Sequence, residues 1–255
     1  MARVIFHIDA NSAFLSWTAA HRVLILGEQE DLREIPSAVV GNKTSRHSII
    51  LAKSVPAKRY GIHTGEPLFQ ALEKCPNLKV VEPDYGLYVE CSRHMVTLLR
   101  QVAPAVEQYS IDEAWADMTG TESLYGPPVQ AAEMLRERIY QELGFTVNIG
   151  VSSNKLLAKI AGDFQKPNRV HSLFPEEIPK KLWPLPVREL FLVGPATERK
   201  LRRMGIGTIG ELAHAPLEQL RRALGKPGET IWHFANGRNA DPVRQSPAEN
   251  KGYGN

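Results

Sequence analysis

The chain has 255 residues, a length that allows one large domain or two to three small ones. Its 43% hydrophobic and 23% charged residues are typical of globular proteins, which excludes disordered, collagenous and coiled-coil classes. No apolar run reaches the roughly 18 residues needed to cross a bilayer, so we expect no membrane partner and a cytoplasmic location. The two cysteines, Cys75 and Cys91, are too few for a disulfide framework.

The order of apolar patterns along the chain predicts an α+β fold. Strand-like runs, each rich in apolar or β-branched residues, occupy Val4–Ile8, Val106–Ile111, Ala114–Met118 and Thr146–Val151. Apolar residues recur at helical spacing between Tyr88 and Pro104, and again between Pro128 and Gly144. An insertion after the first strand contains β-branched pairs within 38–52, which predict a hairpin.

Without that insertion the order is strand, helix, strand, strand, helix, strand, which is the plan of a ferredoxin-like sheet. In this topology the first strand lies beside the hairpin of 106–118, so Asp9 comes close to Asp112 and Glu113. We therefore expect three carboxylates from two distant segments at one edge of the sheet. Each has a local alternative, because an Asp after a strand often caps a helix and an Asp-Glu pair between strands often forms a turn.

Carboxylates that cluster without a histidine or cysteine partner favour Mg²⁺ or Mn²⁺ over zinc. Held close together, they would raise one another's pKa values unless cations lay between them. The sequence therefore predicts a site for two metal ions. Such a site suits in-line phosphoryl or nucleotidyl transfer, in which a hydroxyl attacks and pyrophosphate leaves.

The last third of the chain is basic. Residues 174–240 carry eleven Lys or Arg against seven Glu, which gives a net charge of +4 in a chain whose total is +3, and this fits a polyanionic partner. Between Val187 and Ala213 we predict a helix–hairpin–helix element whose Gly194 turn offers backbone N–H groups to a nucleic-acid phosphate. A glycine-capped helix pair without a ligand is the alternative. The G-x-G-x-x-G string at 205–210 follows a helix and no strand, which argues against a dinucleotide site.

Three segments resemble the motifs of one family, the Y-family (translesion) DNA polymerases, and particularly its bacterial DNA polymerase IV branch. They are 6–14 (FHIDANSAF), 108–117 (QYSIDEAWAD) and 148–168 (NIGVSSNKLLAKIAGDFQKPN). The first two are similar to the metal-binding motifs of the family. All three occur in the family's order, with the basic helical segment behind them.

The resemblance implies a right-hand polymerase with a ferredoxin-like palm at 1–11 and 85–173, inserted fingers at 12–84 and a helical thumb at 174–240. Residues 241–255 would be a linker toward a little-finger domain, so that the chain is expected to be a truncated core. The implied activity is that of a DNA-directed DNA polymerase, a nucleotidyltransferase that adds dNTPs to a primer 3′-OH with low fidelity and no proofreading.

The same resemblance implies roles for particular residues. Asp9, Asp112 and Glu113 would be catalytic and, with the Ala10 carbonyl, would bind two Mg²⁺ ions, for which Mn²⁺ can substitute. Phe14 would be a steric gate that excludes a ribose 2′-OH. The implied nucleotide-binding residues are Ala13, Phe14, Lys58, Arg59 and Lys166. The implied DNA-binding residues are Gly194, Thr197, Arg199, Lys200 and Arg203.

The chain departs from the family pattern in its fingers. Ala52, Val55 and Lys58 stand where the family usually has Thr, Tyr and Arg. Because lysine lacks the planar fork of arginine and valine has no hydroxyl, we expect nucleotide binding to be weaker or differently arranged. Asn11 replaces an aspartate that is not a principal ligand, so metal binding should survive.

The expected partners are primer–template DNA, dNTPs and a sliding clamp bound through the missing C-terminal region, and we expect a monomer. Two other functions stay open at this point. The chain could be a catalytically weak, DNA-binding translesion accessory protein in which the altered fingers no longer bind nucleotide productively. It could also be a two-metal nuclease that uses the same carboxylates.

Overall fold

The computed structural model describes residues 3–45 and 47–245. Its strands are β1 Ile5–Ala10, β2 Ser37–Val40, β3 Ile50–Lys53, β4 Lys79–Val81, β5 Ala105–Gln108, β6 Glu113–Asp117, β7 Val147–Ser152 and β8 Val170–Ser172. Its helices are α1 Ala13–Leu24, α2 Val55–Arg59, α3 Leu68–Lys74, α4 Tyr85–Val102, α5 Glu122–Tyr125, α6 Pro128–Leu143, α7 Lys155–Asp163, α8 Ile178–Lys181, α9 Pro195–Arg203, α10 Ile209–His214, α11 Leu217–Leu224 and α12 Lys226–Ala235.

The larger sheet has the order β5-β6-β1-β7-β8. Its first four strands are antiparallel and β8 adds to β7 in parallel. With β8 set aside, the chain order β1, β5, β6, β7 gives the ferredoxin-like arrangement, so this prediction is confirmed. One departure is the turn between β5 and β6, which is four residues long because Tyr109 and Ser110 both donate their amides to the Glu113 carbonyl.

The two faces of this sheet are covered differently because strand side chains alternate in direction. Phe6 and Ile8 of β1 point into an apolar core that also holds residues of α4 and α6. On the opposite face α7 lies directly on the strands. It comes so close that a Cβ atom on Gly150 of β7 would lie 1.8 Å from the Ala158 carbonyl oxygen, so only glycine fits there.

The insertion folds as a second sheet of three strands in the order β3-β2-β4. The antiparallel pairing of β2 with β3 confirms the predicted hairpin, whereas the parallel pairing of β4 with β2 was not predicted. Helix α1 joins the two sheets. Its Leu15 packs with Val39 of β2, and its Trp17 is buried in the core of the larger sheet.

The helical segment from α8 to α12 has its own apolar core, to which Leu157 and Ile160 of α7 contribute. The predicted helix–hairpin–helix region contains one 3₁₀ turn at Val187–Glu189, then α9 and α10. Helix α9 begins at Pro195, since proline is favourable at the first helical position. The G-x-G-x-x-G string joins α9 to α10 and follows no strand, as the sequence indicated.

After α12 the chain returns to the larger sheet as an extended stretch, residues 239–245, which we call the C-terminal strap. The Asp241 carbonyl accepts a hydrogen bond from Arg3, at 3.0 Å, and the Arg244 amide donates to Glu107 of β5, at 2.7 Å. Val243 packs against Ile5 and Trp115. The rest of the predicted linker, 246–255, lies outside the described residues, within which no helix is long and apolar enough to cross a membrane.

Candidate active site at the ends of two strands

The pairing of β1 with β6 brings the three predicted carboxylates together. Asp9 lies directly opposite Glu113 in the antiparallel register. Just beyond this pair, the Ala10 amide donates to the Asp112 carbonyl at 3.0 Å. Ser110 closes the turn, because its hydroxyl donates to the Asp112 carboxylate at 2.6 Å and accepts from the Glu113 amide at 3.1 Å. The strand ends thus gather residues that are about a hundred positions apart in the chain.

Asp9 is almost completely buried and its carboxylate bonds the ammonium group of Lys166. Burial raises the pKa of Asp9, and the positive charge of Lys166 only partly offsets this effect. Lys166 also lies 2.8 Å from the Asp163 carboxylate. Although burial opposes it, this pair of carboxylates raises the pKa of Lys166, so the lysine stays charged beside Asp9.

Glu113 has two basic neighbours that the sequence did not reveal. Lys159 of α7 donates to its carboxylate at 2.6 Å, and His7 Nε2 lies 3.5 Å away without hydrogen-bond geometry. Burial raises the pKa of Glu113, but His7 and Lys159 outweigh burial and hold this pKa at about 2. The sequence analysis did not place His7 beside the carboxylates. His7 is two residues before Asp9 on the same strand, so both side chains lie on one face.

The donor set is compatible with a hard divalent cation. Asp9, Asp112 and Glu113 supply carboxylate oxygens, the ligands that Mg²⁺ and Mn²⁺ prefer. Asp9 and Glu113 each hold a lysine ammonium group, which shows that the strand ends attract positive charge. Within residues 3–45 and 47–245, no three His, Cys, Asp or Glu side chains form a cluster ready to enclose an ion. A metal bound by the Asp9 oxygen that now contacts Lys166 would displace this ammonium group.

Two adjoining cavities open beside Asp9. One, of about 200 Å³, is lined by Asp9, Ala10, Asn11, Ser12, Lys53, Ser54, Val55, Lys58, Lys166 and Pro167. The other, of about 240 Å³, is lined by Asp9, Ala10, Ser12, Ala13, Phe14, Leu51, Ala52, Lys53, Thr64 and Asp112. Most predicted nucleotide-binding residues thus face the same space. Arg59 is the exception, because it is exposed on α2 and lines neither cavity.

Phe14 presents a fixed ring to the second cavity. The ring stacks on Tyr88 of α4, with centroids 4.4 Å apart and planes 5° from parallel, and meets Tyr85 edge-on. Tyr88 is itself held by a 3.0 Å hydrogen bond to Thr18. Ala13, the residue before Phe14, is buried, and its methyl group occupies little of the second cavity.

Asn11, which replaces an aspartate of the family pattern, belongs to the scaffold of the site. Its amide donates to Asn148 of β7 at 3.0 Å, and its carbonyl oxygen accepts from the Asn168 amide at 2.8 Å. Asn148 in turn donates to the Gln165 carbonyl at 2.7 Å. This network fixes the loop that carries Lys166.

The five predicted DNA-binding residues lie at the start and along one side of α9. Gly194 is the residue that caps this helix, and its carbonyl accepts from the Glu198 amide. Arg199, Lys200 and Arg203 are exposed and form no ion pair within the described part of the chain, and Thr197 is half-buried. By contrast, Arg202 is neutralised by Glu198 at 2.9 Å. Helix α9 therefore presents three uncompensated positive charges.

A family model described as the impB/mucB/samB family matches residues 8–163, which is more than half of the chain. The chain belongs to this family. A second model, the IMS family HHH motif, matches residues 175–206. The two matched segments contain Asp9, Asp112 and Glu113 in the first and helix α9 in the second.

Relatives with similar sequences are named DNA polymerase IV. The protein from Clostridium acetobutylicum is 48% identical over 241 residues, which cover 93% of this chain and 59% of that protein. The protein from Acetivibrio thermocellus is 39% identical over 249 residues, covering 98% of this chain and 61% of that protein. The chain thus spans about three fifths of the length of these relatives.

Solved structures share this fold. The crystal structure of DinB from Sulfolobus solfataricus matches with a TM-score of 0.82 and 25% identity, over 95% of this chain and 69% of that one. A Y-family DNA polymerase chimera matches with the same TM-score at 23% identity, over 96% of this chain and 70% of that one. The resemblance to Y-family polymerases and the right-hand fold class are confirmed.

Proposed function

We propose that the chain is the catalytic core of a translesion DNA-directed DNA polymerase. The observation that carries this proposal is the β1–β6 register, which sets Asp9 opposite Glu113 with Asp112 beside them, next to two cavities lined by lysines and Phe14. Low fidelity and the absence of proofreading belong to the same proposal. So do the assignments of palm, fingers and thumb to 1–11 with 85–173, 12–84 and 174–240.

In the proposed reaction the primer 3′-OH attacks the α-phosphate of a dNTP, and pyrophosphate leaves. Asp9, Asp112, Glu113 and the Ala10 carbonyl would hold two Mg²⁺ or Mn²⁺ ions. When bound, such ions lower the pKa of an attacking hydroxyl and neutralise charge on the phosphates. Lys159 would keep Glu113 ionised and oriented. Lys166 would neutralise Asp9 in the free enzyme and would bind a phosphate of the dNTP once the nucleotide arrives.

Each cavity would receive a different part of the nucleotide. Lys58 and Lys166 would bind the triphosphate as point charges, and Ala13 and Phe14 would border the sugar. Gly194, Thr197, Arg199, Lys200 and Arg203 would bind the backbone of primer–template DNA at the thumb. A sliding-clamp partner and a monomeric state remain predictions for the whole protein, as does the role of Arg59.

The test is extension of a labelled primer on a DNA template with Mg²⁺ and all four dNTPs. We expect template-directed extension by the unmutated chain and none by an Asp112→Ala, Glu113→Ala double variant, because only the carboxylates differ. Circular dichroism and thermal melting would verify that the variant is folded. Shortening of the primer without nucleotides would instead indicate a nuclease. DNA binding without extension, with Mn²⁺ as well as Mg²⁺, would contradict the polymerase proposal for this chain.

A further inference from the structure

Lys53, at the end of β3, is the one lysine that lines both cavities beside Asp9. Lys53 lines the first cavity together with Lys58 and Lys166, and the second together with Phe14 and Asp112. Its position is therefore at the junction between the space assigned to the phosphates and the space assigned to the sugar. Lys53 lies within the fingers segment that contains Ala52, Val55 and Lys58, but the sequence assigned it no role.

The contacts of Lys53 leave its charge without a counter-ion. Its Nζ atom has one hydrogen bond, to the Thr64 hydroxyl at 3.2 Å. Within the described residues, no carboxylate lies within ion-pair distance of Lys53 or Lys58. Lys166, in contrast, is paired with both Asp9 and Asp163.

Keeping Lys53 in this place has an electrostatic cost. Burial lowers the pKa of Lys53, and the charge of Lys58 lowers it further. The Glu66 carboxylate, which lies beyond ion-pair distance, only partly offsets these two effects. The cavity is lined by three lysines and one carboxylate, Asp9, which is already paired with Lys166. Such a set favours a ligand with several negative charges. A triphosphate has that charge, and it would remove the repulsion between Lys53 and Lys58.

We propose that Lys53 is a further nucleotide-binding residue, which contacts the phosphates of the incoming dNTP together with Lys58 and Lys166. This inference rests on the proposed polymerase function. It also accounts for the altered fingers, since Val55 offers no hydroxyl and Lys58 no guanidinium fork. The additional ammonium group of Lys53 supplies the phosphate contact that these substitutions remove. Because lysine is a point charge, the contact is independent of the base.

The experiment compares four forms of this 255-residue chain: unmutated, Lys53→Met, Lys53→Arg and Lys79→Met. Lys79 is the matched control, because it lies on β4 of the same sheet and pairs with Glu30 at the surface, outside both cavities. Two readouts are needed. The first is KM and kcat for insertion of each single dNTP. The second is the concentration of inorganic tripolyphosphate at which the increase in melting temperature is half of its maximum, measured without DNA.

For Lys53→Met we expect KM to rise about tenfold for all four dNTPs, with kcat changed less than about twofold, because one charge-assisted hydrogen bond is lost. The tripolyphosphate concentration that gives half of the maximal increase in melting temperature should rise by a similar factor. Lys53→Arg should have a KM and a tripolyphosphate response close to those of the unmutated chain. Lys79→Met should be the same as the unmutated chain in both measurements. A loss confined to one or two bases would overturn the phosphate assignment in favour of a base contact.

The two readouts separate this inference from the function on which it rests. An unmutated chain that extends primers, with Lys53→Met unchanged in KM and tripolyphosphate response, contradicts the role of Lys53 alone. A chain that extends no primer contradicts the polymerase proposal. In that case the tripolyphosphate response still decides whether Lys53 binds phosphates.

Discussion

At the scale of single residues, the site combines side chains that are held firmly with side chains that must exchange partners. Phe14 is fixed by its stack on Tyr88, whereas Lys166 bonds Asp9 and Asp163 at the same time. A stacked ring loses little entropy when a ligand arrives, so it can serve as a rigid wall. Lys166 is exposed and has a second carboxylate partner in Asp163, so it can leave Asp9 and still be paired.

The wall formed by Phe14 leads to a prediction about sugar selection. Phe14→Ala should raise the efficiency of ribonucleotide insertion relative to deoxyribonucleotide insertion by at least about tenfold, because the ring no longer excludes a 2′-hydroxyl. Phe14→Tyr, which keeps the ring, should retain the selection. The measurement is the ratio of kcat/KM for dCTP and CTP. Equal ratios for the unmutated chain and Phe14→Ala would remove Phe14 from sugar recognition.

At the scale of elements, the contact between β7 and α7 depends on two glycines with opposite requirements. Gly150 of β7 has no room for a Cβ atom, which would also lie 2.4 Å from the Gly162 amide nitrogen. Gly162 of α7 has room, because a Cβ there would meet its nearest neighbours at 3.5 Å. Helix α7 carries Lys159, so this packing sets the distance from Lys159 to Glu113.

Alanine at these two positions should therefore have opposite effects. Gly150→Ala should lower the free energy of unfolding by about 3 kcal/mol, the upper end of the usual cost of overpacking, because the clash is with backbone. Gly162→Ala should be neutral or stabilise by up to about 1 kcal/mol, since alanine is the better helix former. Urea denaturation of both variants provides the comparison. A Gly150→Ala chain as stable as the unmutated one would refute the close contact.

The elements with long, regular patterns could be predicted from the sequence, and the short ones could not. Helices α4 and α6 and strands β1 and β7 have enough apolar positions to define a period. Strands β4 and β8 have three residues each, too few for an alternating pattern, and both pair in parallel with distant strands. Their existence depends on tertiary contacts.

The candidate site divides in the same way. The carboxylates follow directly from the strand order, so Asp9, Asp112 and Glu113 could be placed together beforehand. The lysines that contact these carboxylates could not be predicted, because Lys159 reaches Glu113 only through the packing of α7 on the sheet. Lys53 was missed for a similar reason: its position between the cavities depends on how the second sheet sits against β1.

At the scale of the whole molecule, charge is distributed unevenly. Residues 174–240 have a net charge of +4 and α9 presents Arg199, Lys200 and Arg203 without partners among the described residues, whereas the remainder is about neutral. Each contact between a basic side chain and a DNA phosphate releases counterions from the DNA. The slope of log K against log salt concentration therefore measures the number of such contacts.

An Arg199→Ala, Lys200→Ala, Arg203→Ala variant should bind duplex DNA more weakly. The slope of log K against log salt concentration should become shallower by about 3. Arg202→Ala is the control, because Glu198 already neutralises Arg202 and the slope should change little. Fluorescence anisotropy at several salt concentrations measures both. Identical slopes for the triple variant and the unmutated chain would place the DNA elsewhere.

The C-terminal strap changes the way the helical segment is connected to the rest of the chain. This segment leaves the larger sheet after β8, and the strap returns to that sheet at Arg3, Glu107 and Trp115. The helical segment is therefore anchored to the larger sheet at both of its ends. If its contacts with α7 open, the two anchors keep it at a high effective concentration near the sheet, so reclosure is intramolecular and entropically cheap. The two anchors therefore favour the closed arrangement of the helical segment on the sheet.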